Sequence, residues 1–483
     1  MPRTVLPFPT MTFHNSRNTP ARNWVIIAPQ SRWAGGGKSQ EILNSSPEVK
    51  GRPLIWGRWC LDKKLETISF TDIVFDEGIY PRVEGHDPAT VQTYARDLDQ
   101  IEESGAYISV NAANVLLDGK HRMLGYKKNA DGETDFELKV WRYPVESPLE
   151  SFRLACELQD KGKALSNNDR VSSAKKLYAF GMNQKDIAVS LSVGAPTISK
   201  WLSRTIKEEK ERQREKTFDL WISCHTQEEI AEEVGIPRRT VADYGEKFQE
   251  KLSPEFTFSE SDYTPPIYNV WKKQNKTNKV GHFGHTENQW LDNLLYLYTN
   301  PFDAVVDPFA GSGNTIDVCS HRGRRHFVSD RKPIVEREHE IRKHDIVVDG
   351  LPKPPMWKDV SLVYLDPPYW KQAEGQYSND PTDLANMTIE DFSKNLSSII
   401  CQFSKKLSSA YIALIIQPTQ WKAENKQFTD HVGDMLRSVK LPVHMRYSVP
   451  YESQQCTAQM VEWSKASKTC LVLTREIIVW EVN

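Results

Sequence analysis

The feature that most constrains this 483-residue chain is a short apolar strand that runs directly into an acid and a glycine-rich turn. The segment Ala304-Val-Val-Asp-Pro-Phe-Ala-Gly-Ser-Gly-Asn-Thr predicts a buried strand that ends at Asp307, then the turn, then a helix. Gly311 and Gly313 allow the backbone to approach a ligand at the carboxyl end of the strand, where open α/β sheets bind cofactors. A ligand site is therefore expected at this turn.

Further predicted strands in the same part of the chain also end in acidic residues. The main strand-like runs begin at Ala304, His326, Ser361 and Tyr411. Asp330 ends the second run about twenty residues beyond the turn, where an acid can hold a ribose diol. Asp349 follows another short run, and Asp366-Pro367-Pro368-Tyr369 ends the run that begins at Ser361. The alternation with helical segments predicts a mostly parallel α/β sheet whose carboxyl edge carries these side chains.

Together these motifs resemble the S-adenosylmethionine-dependent amino-group DNA methyltransferases over about residues 265–483. The resemblance implies a Rossmann-like domain that binds S-adenosyl-L-methionine and needs no metal. It implies cofactor contacts from nine residues: Asp307, Pro308, Phe309, Gly311, Gly313, Asp330, Asp349, His285 and Thr286. Within this set, Asp330 would hold the ribose, Asp349 the adenine edge and Phe309 an apolar side of the cofactor. His285 and Thr286 match the family segment that contacts the methionine end, although Asn288-Gln289 replaces the usual Lys-Pro.

The resemblance also assigns catalysis to Asp366, Pro367, Pro368 and Tyr369. An exocyclic adenine amine is a poor nucleophile because its lone pair is delocalised into the ring. Asp366 and the Pro367 carbonyl can accept its two N–H bonds and favour a pyramidal nitrogen, which is catalysis by positioning and electrostatic preorganisation. Tyr369, with Trp370 as a further candidate, would stack on a base rotated out of the duplex.

The central region repeats one pattern, since Gln184-Lys-Asp-Ile-Ala-Val-Ser-Leu-Ser-Val can be laid over Gln227-Glu-Glu-Ile-Ala-Glu-Glu-Val-Gly-Ile without a gap. A small residue lets two helices cross, Ser192 or Gly235 takes the turn, and apolar residues fill the angle, as a helix-turn-helix requires. The second helices are expected over Thr197–Arg204 and Arg238–Lys247. Their candidate DNA-binding residues are Ser199, Lys200, Arg204, Arg238 and Arg239. A plain helical hairpin is the alternative for either copy, and the sign-alternating run Lys207–Lys216 predicts a solvated helix.

A small α+β unit is predicted before the repeat. Val115-Leu-Leu-Asp-Gly-Lys-His-Arg-Met-Leu-Gly-Tyr places a polar cluster between a buried strand and a helix, which is a natural anion site. This segment and its neighbours resemble the ParB/sulfiredoxin-like superfamily over about residues 52–205. The resemblance implies phosphate binding by Gly119, His121 and Arg122, and thus a nucleotide as a ligand to consider. The alternative is a structural network in which His121 and Arg122 pair with Asp118 and nearby carbonyls.

These features predict an α/β multidomain protein with five parts. They are a disordered arm (1–50), a ParB-like α+β domain (51–147), an all-α double helix-turn-helix region (148–252), a linker (253–264) and the methyltransferase domain (265–483). The formal net charge of −2 excludes a global positive field, so nucleic acid must be bound by local basic faces. Seven scattered cysteines fit a reducing cytoplasm, and no apolar run approaches the roughly 20 residues of a membrane span.

The favoured interpretation is a cytoplasmic enzyme that forms N6-methyladenine in double-stranded DNA. Asp rather than Ser at the first position of the catalytic motif favours adenine over N4 of cytosine. An N4-cytosine enzyme, a non-catalytic ParB-like regulator and an RNA methyltransferase remain alternatives, the last because some RNA methyltransferases share Asp-Pro-Pro-Tyr. The motif also has a purely structural interpretation as a strand-ending turn, which Pro-Pro favours in any protein. The sequence shows no large target-recognition domain, so the base-reading candidates are Lys371–Met387, His444–Lys468 and the helix-turn-helix pair. The recognition sequence and a homodimer are left open.

Overall fold

The computed structural model describes residues 63–82, 87–160, 165–272, 287–371, 373, 375, 378–420, 428–450 and 457–483. The predicted N-terminal arm lies outside the described residues, as do His285 and Thr286. Residues Lys63–Asn483 form one compact unit by their internal contacts. Within the described ranges, no helix combines the length and the apolar character that crossing a bilayer requires.

The first module is a four-stranded sheet with helices packed on it, as predicted. Its elements are β1 (Lys64–Ser69), α1 (Pro88–Arg96), α2 (Leu98–Glu103), β2 (Ile108–Val110), β3 (Leu116–Asp118), α3 (Lys120–Asn129) and β4 (Glu137–Arg142). The strand order is β1-β4-β2-β3, with β2 and β4 parallel and the other pairs antiparallel. Ile108, Val110, Leu116 and Val140 form its buried core.

The central region is entirely helical among its described residues. It contains α4 (Pro148–Asp160), α5 (Asn167–Ala179), α6 (Gln184–Ser190), α7 (Ala195–Ile222), α8 (Gln227–Val234) and α9 (Arg238–Leu252). The helix expected to end at Arg204 continues to Ile222, because the charged run Lys207–Lys216 contains no helix-breaking residue and forms ion pairs three residues apart, such as Arg212–Glu209 and Arg214–Glu211. That run is largely exposed, which confirms the predicted solvated helix.

The C-terminal module is a seven-stranded sheet between helices. Its elements are α10 (Asn288–Tyr298), β5 (Ala304–Asp307), α11 (Asn314–His321), β6 (Arg325–Asp330), β7 (Arg342–Lys343), β8 (Val360–Leu365), α12 (Ile389–Ser404), β9 (Ala410–Ile416), β10 (Thr419–Gln420), β11 (Phe428–Thr429), α13 (His431–Ser438), β12 (Val443–Ser448), α14 (Ala458–Ser467) and β13 (Glu476–Val482). The strand order is β12-β13-β9-β8-β5-β6-β7, in which β9, β8, β5, β6 and β7 are parallel. The predicted mostly parallel α/β sheet is confirmed.

Both faces of this sheet are covered, which explains why its strands are apolar on both sides. Val305 and Leu362 point to the face that packs against α10, whereas Val306 and Val363 point to the face that packs against α12 and α13. This alternation follows from the two-residue period of a strand, and burial on both faces is typical of parallel sheets. The acids at the ends of the strands lie at the carboxyl edge of the sheet.

The helical region packs against the strand-start edge of this sheet. Phe302, just before β5, lies in ring contact with Trp221 of α7 at 5.2 Å between centroids. Arg342 donates through Nη2 to the Ser223 carbonyl at 2.9 Å, and buried Cys224 belongs to the core of the sheet domain. The opposite, strand-end edge carries the acids of the sequence motifs. The helix-turn-helix region and the motif acids therefore lie on opposite edges.

The predicted linker is not a loose connection. Tyr263 is buried and donates its hydroxyl to Asn293 Oδ1 at 2.7 Å, and Arg322 pairs with both Asp262 and Asp292 at 2.6 and 2.7 Å. A fragment that begins near Ser259 would lose Cys224 from its core and uncover Phe302, so removing the helical half would also damage the sheet domain.

Candidate active site

The carboxyl ends of β8, β5 and β6 are adjacent, so the side chains that follow these strands meet at one edge. A cavity of about 370 Å³ opens there. It is lined by residues from the glycine turn, the end of β6, the segment after β7 and the segments after β8, including Pro308, Phe309, Gly311, Asp330, Asp366 and Pro368. Six residues predicted from separate motifs thus share one cavity.

Asp307 supports the glycine turn from beneath and is not among the residues that line the cavity. Its Oδ1 accepts the Phe309 N–H at 2.8 Å, and its Oδ2 accepts the Thr315 hydroxyl at 2.5 Å. Complete burial raises the pKa of Asp307 to about 7, opposed by these hydrogen bonds and reinforced by the charges of Asp366 and Asp330. In this structure Asp307 orders the glycine turn, and its contact with the cofactor stays a prediction.

Gly313 also acts on the turn rather than on the cavity. It has φ of +81°, caps α11 and donates its N–H to the Ala310 carbonyl at 2.8 Å. A Cβ atom at this position would lie 3.0 Å from Arg337 Nη1. Gly311, by contrast, lines the cavity and donates its N–H to Asp330 Oδ2 at 2.9 Å.

Asp349, predicted to contact the cofactor's adenine edge, lies four residues beyond the acid that lines the cavity in this segment. Asp349 is not among the lining residues, and Asp345 is. The run Ile346–Val348, expected to be a strand, is a turn in which Asp345 Oδ1 accepts the Val347 N–H at 3.0 Å. The strand β7 ends earlier, at Lys343. Ile346 and Val347 line the cavity, so this turn is apolar, and its sequence therefore resembles a strand.

The motif that follows β8 divides between the cavity and the core. Asp366 and Pro368 line the cavity, whereas Pro367 is buried. Tyr369 donates its hydroxyl to Asp366 Oδ1 at 3.1 Å and itself receives a hydrogen bond from Arg475 Nη1 at 3.3 Å. Trp370, considered as a base-stacking residue, is instead buried.

The placement of Trp370 follows from its contacts. Its indole N–H donates to the Met387 carbonyl at 2.9 Å, its own carbonyl accepts the Thr419 hydroxyl at 3.1 Å, and its ring packs edge-on against His431. A side chain held in this way cannot swing out to stack on a base, so Tyr369 is the aromatic residue of the motif that lies next to Asp366.

Sequence reasoning missed the residue that joins the walls of the cavity. Arg331 contacts Asp380 Oδ2 at 3.0 Å through Nη2, and Asp345 Oδ2 at 3.5 Å through Nε. Its Nη1 lies 4.0 Å from Asp383, which lines the cavity. One guanidinium therefore links the end of β6, the turn after β7 and the segment after the catalytic motif. The only signal in the sequence was its position directly after Asp330.

The cavity fits S-adenosyl-L-methionine in size and in chemistry. Ligand sites commonly measure about 300–1,000 Å³, with mostly apolar walls and a few placed polar groups. Apolar walls come from Phe309, Ile334, Ile346, Val347 and Leu384. The Asp330 carboxylate borders the same space and is oriented by the Gly311 and Lys332 N–H groups at 2.9 and 2.8 Å.

The two helix-turn-helix copies have the same geometry. Both turn residues adopt the left-handed conformation, with φ of 54° at Ser192 and 73° at Gly235. The Val193 N–H donates to the Ala188 carbonyl at 3.0 Å, and the equivalent bond from Ile236 to Ala231 measures 3.1 Å. The candidate DNA contacts are all exposed: Ser199, Lys200, Arg204, Arg238 and Arg239.

In the first module, the polar cluster forms the network that was considered as the structural alternative. Arg122 pairs with Asp118 at 2.6 Å and donates to the carbonyls of Tyr107 and Ala106. His121 Nε2 accepts the Asp87 N–H at 3.1 Å. Gly119, with φ of 104°, begins α3. The guanidinium of Arg122 is occupied by protein groups, which favours a structural role over phosphate binding.

Comparisons with known proteins show what parts of this chain are similar to. The model of a DNA methylase family (N6_N4_Mtase) matches residues 130–337, a range that includes the glycine turn and Asp330 and ends before Asp366. The resemblance to amino-group DNA methyltransferases is confirmed by this match.

A curated protein is similar to part of this chain. The type II methyltransferase M.BamHI of Bacillus amyloliquefaciens is 34% identical over 87 residues, which is 18% of this chain and 19% of the relative. The matched segment thus spans about a fifth of the relative's length.

Among solved structures, an S-adenosylmethionine-dependent methyltransferase from Archaeoglobus fulgidus is 13% identical, with a TM-score of 0.25 and coverage of 40% of this chain and 94% of that chain. The chromosome-partitioning protein ParB of Caulobacter crescentus, solved with the parS site, is 12% identical, with a TM-score of 0.22 and coverage of 38% and 99%. The fold assignment rests on the strand order and the site described above, not on these likenesses.

Proposed function

We propose that this chain is a DNA methyltransferase that transfers a methyl group from S-adenosyl-L-methionine to N6 of an adenine rotated out of double-stranded DNA. The observation that carries the proposal is the convergence of Gly311, Asp330, Asp366 and Pro368 on one cavity. The family match supports the reaction class, and Asp at the first position of the catalytic motif supports adenine over cytosine.

Asp330, Gly311 and the apolar walls would hold the cofactor, which supplies an electrophilic methyl group on a sulfonium. Asp366 lines the same cavity and would accept an N–H of the target amine. The buried Pro367 fixes the backbone, so that its carbonyl is a second acceptor. Acceptors fixed in advance need no reorganisation during the reaction, which is how electrostatic preorganisation lowers a barrier.

Tyr369 would act on the target base and on Asp366 together. Its hydroxyl bond to Asp366 orients the carboxylate, and its ring is half-buried beside the motif. A base that has left the stack needs an aromatic surface to replace its neighbours. Arg475, which donates to the same hydroxyl, holds the ring in place.

The direct test is methyl transfer by the full chain. Purified protein would be incubated with methyl-labelled cofactor and with duplex DNA, single-stranded DNA or RNA, and the modified bases would then be sequenced. N6-methyladenine in duplex DNA is the expected product. N4-methylcytosine, methylation of RNA alone or no transfer to any of the three substrates would each overturn the proposal.

The ParB-like module and the helix-turn-helix region are proposed to dock the enzyme on DNA. The exposed basic residues of the repeat support this role. Because Arg122 is engaged by Asp118, a nucleotide at Gly119–Arg122 is not part of the proposal.

A further inference from the structure

The two helix-turn-helix copies are alike in backbone and opposite in charge. Residues 184–207 of the first copy contain four basic residues and one acid, which gives a formal charge of +3. The equivalent residues 227–250 of the second copy contain three basic residues and seven acids, which gives −4. DNA affinity depends on neutralising phosphates with Lys and Arg, so only the first copy has the charge that this requires.

The acids of the second copy lie where DNA phosphates would approach. Helix α8, the first helix of the motif, carries Glu228, Glu229, Glu232 and Glu233. The first helix of a DNA-bound helix-turn-helix crosses the phosphate backbone, so four carboxylates there would repel it. Arg238, which leads the second helix, pairs with Glu228 at 2.8 Å, but both side chains are more than half exposed, so the net charge of this copy, rather than the pair, disfavours phosphate binding.

The second copy also has another use, since it packs against the end of α7 that meets the sheet domain. Phe248 of α9 is buried and lies in ring contact with Trp221 and Phe218, which in turn contact Phe302 beside β5. Gly245 allows this approach, because a Cβ atom there would lie 3.2 Å from Trp221 Nε1. The second helix of this copy is therefore committed to an interface within the chain.

The first copy lacks the acids of the second. From Ala195 to Lys207 its second helix contains three basic residues and no acid. Ser199, Lys200 and Arg204 are exposed. Arg204 pairs with Glu208, which lies just beyond this segment, and both side chains are more than half exposed, so phosphate can replace the glutamate at little cost.

We propose that the two copies have separate roles: the first binds duplex DNA through its phosphates, and the second is an internal support that packs against α7, the helix that runs from the first copy to the sheet domain. This inference rests on the proposed function, which makes DNA the partner. It assigns the phosphate contacts to Lys200 and Arg204 and removes Arg238 and Arg239 from them.

The test compares matched double variants of the full chain by fluorescence anisotropy with a labelled 30-base-pair duplex at several salt concentrations. Each phosphate contact is expected to change the slope of log affinity against log salt by about one. K200A/R204A is expected to weaken binding by roughly tenfold and to lower the slope of log affinity against log salt by about two. R238A/R239A is expected to bind within twofold of the wild type. K210A/K251A, which removes two exposed charges outside both copies, controls for general electrostatics.

Loss of binding in R238A/R239A that equals or exceeds the loss in K200A/R204A would overturn the inference. Full DNA binding by K200A/R204A would also overturn the inference, if the wild-type protein methylates duplex DNA in the same experiment. That outcome would leave the proposed function intact. A wild type that neither binds nor methylates DNA would overturn both. Circular dichroism of each variant shows whether its fold is retained.

Discussion

Arg331 Nη2 lies 3.0 Å from Asp380 Oδ2, and this contact ties the segment after the catalytic motif to the end of β6. Hydrogen bonds from Thr382 and the charge of Arg331 lower the pKa of Asp380, so the carboxylate is charged at neutral pH. Because Asp345 and Asp383 also surround the guanidinium, one side chain fixes three walls of the cavity.

We therefore expect R331A to weaken binding of S-adenosyl-L-methionine by about tenfold, equivalent to 1.4 kcal/mol. R331K keeps the charge but not the forked geometry, so its affinity for the cofactor should lie between those of the wild type and R331A. Isothermal titration calorimetry measures the affinity without turnover. R437A is the control, because Arg437 pairs with Asp434 on an exposed face of α13. Equal affinity in wild type and R331A would contradict the role given to Arg331.

Asp366→Ala removes the carboxylate that is proposed to accept an N–H of the target amine while leaving the sheet intact. Loss of one preorganised polar group typically costs roughly 10²–10³ in kcat, and we expect at least this loss with DNA binding retained. Y369F, which removes only the hydroxyl bonded to Asp366, should lose less. Single-turnover methylation and anisotropy on the same preparations separate chemistry from binding. Full turnover by the alanine variant would refute the mechanism.

Gly313→Ala tests the tight turn. Its φ of +81° already penalises a side chain by roughly 1–2 kcal/mol, and its Cβ atom would also meet Arg337 at 3.0 Å. G350A is a matched control, since φ is +78° there and no atom lies within 4 Å of the added carbon. The melting temperature should fall further in G313A than in G350A. Equal losses would show that the Arg337 contact is unimportant.

Asp307 makes stability depend on pH in a defined direction. Its pKa of about 7, raised mainly by burial, exceeds the value of 3.8 in an unfolded chain, so the folded state keeps a proton that the unfolded state loses. Stability is therefore lost as pH rises from about 4 to about 7. In D307N this loss should vanish, so the melting temperature of the variant should gain on the wild type between pH 5 and pH 8. Parallel profiles would argue against a protonated Asp307.

Local motifs predicted the centre of the site well. Asp330 and Asp366 each end a strand, and the strand order brings these ends together, so an apolar run that stops at an acid was sufficient evidence. The repeat was equally clear, because Ser192 and Gly235 occupy one turn position in a gapless alignment and both adopt positive φ.

The errors came from interactions between distant segments. Trp370 follows the catalytic motif, but Met387 and Thr419, which bury it, are distant in sequence. Asp349 was predicted because it follows a strand-like run, whereas only the folded chain shows that Ile346 and Val347 in this run line a cavity. Arg331 carries no motif, and its importance depends on three carboxylates from two other loops.

Helix α7 is continuous over 28 residues, which corresponds to about 42 Å. The helix begins in the first helix-turn-helix copy and ends against Phe302, so it is a rigid spacer between that copy and the sheet domain. A duplex bound at the N-terminal end of α7 would therefore be kept at a fixed distance from the sheet domain. The modified base would then belong to a different stretch of DNA from the one that is gripped.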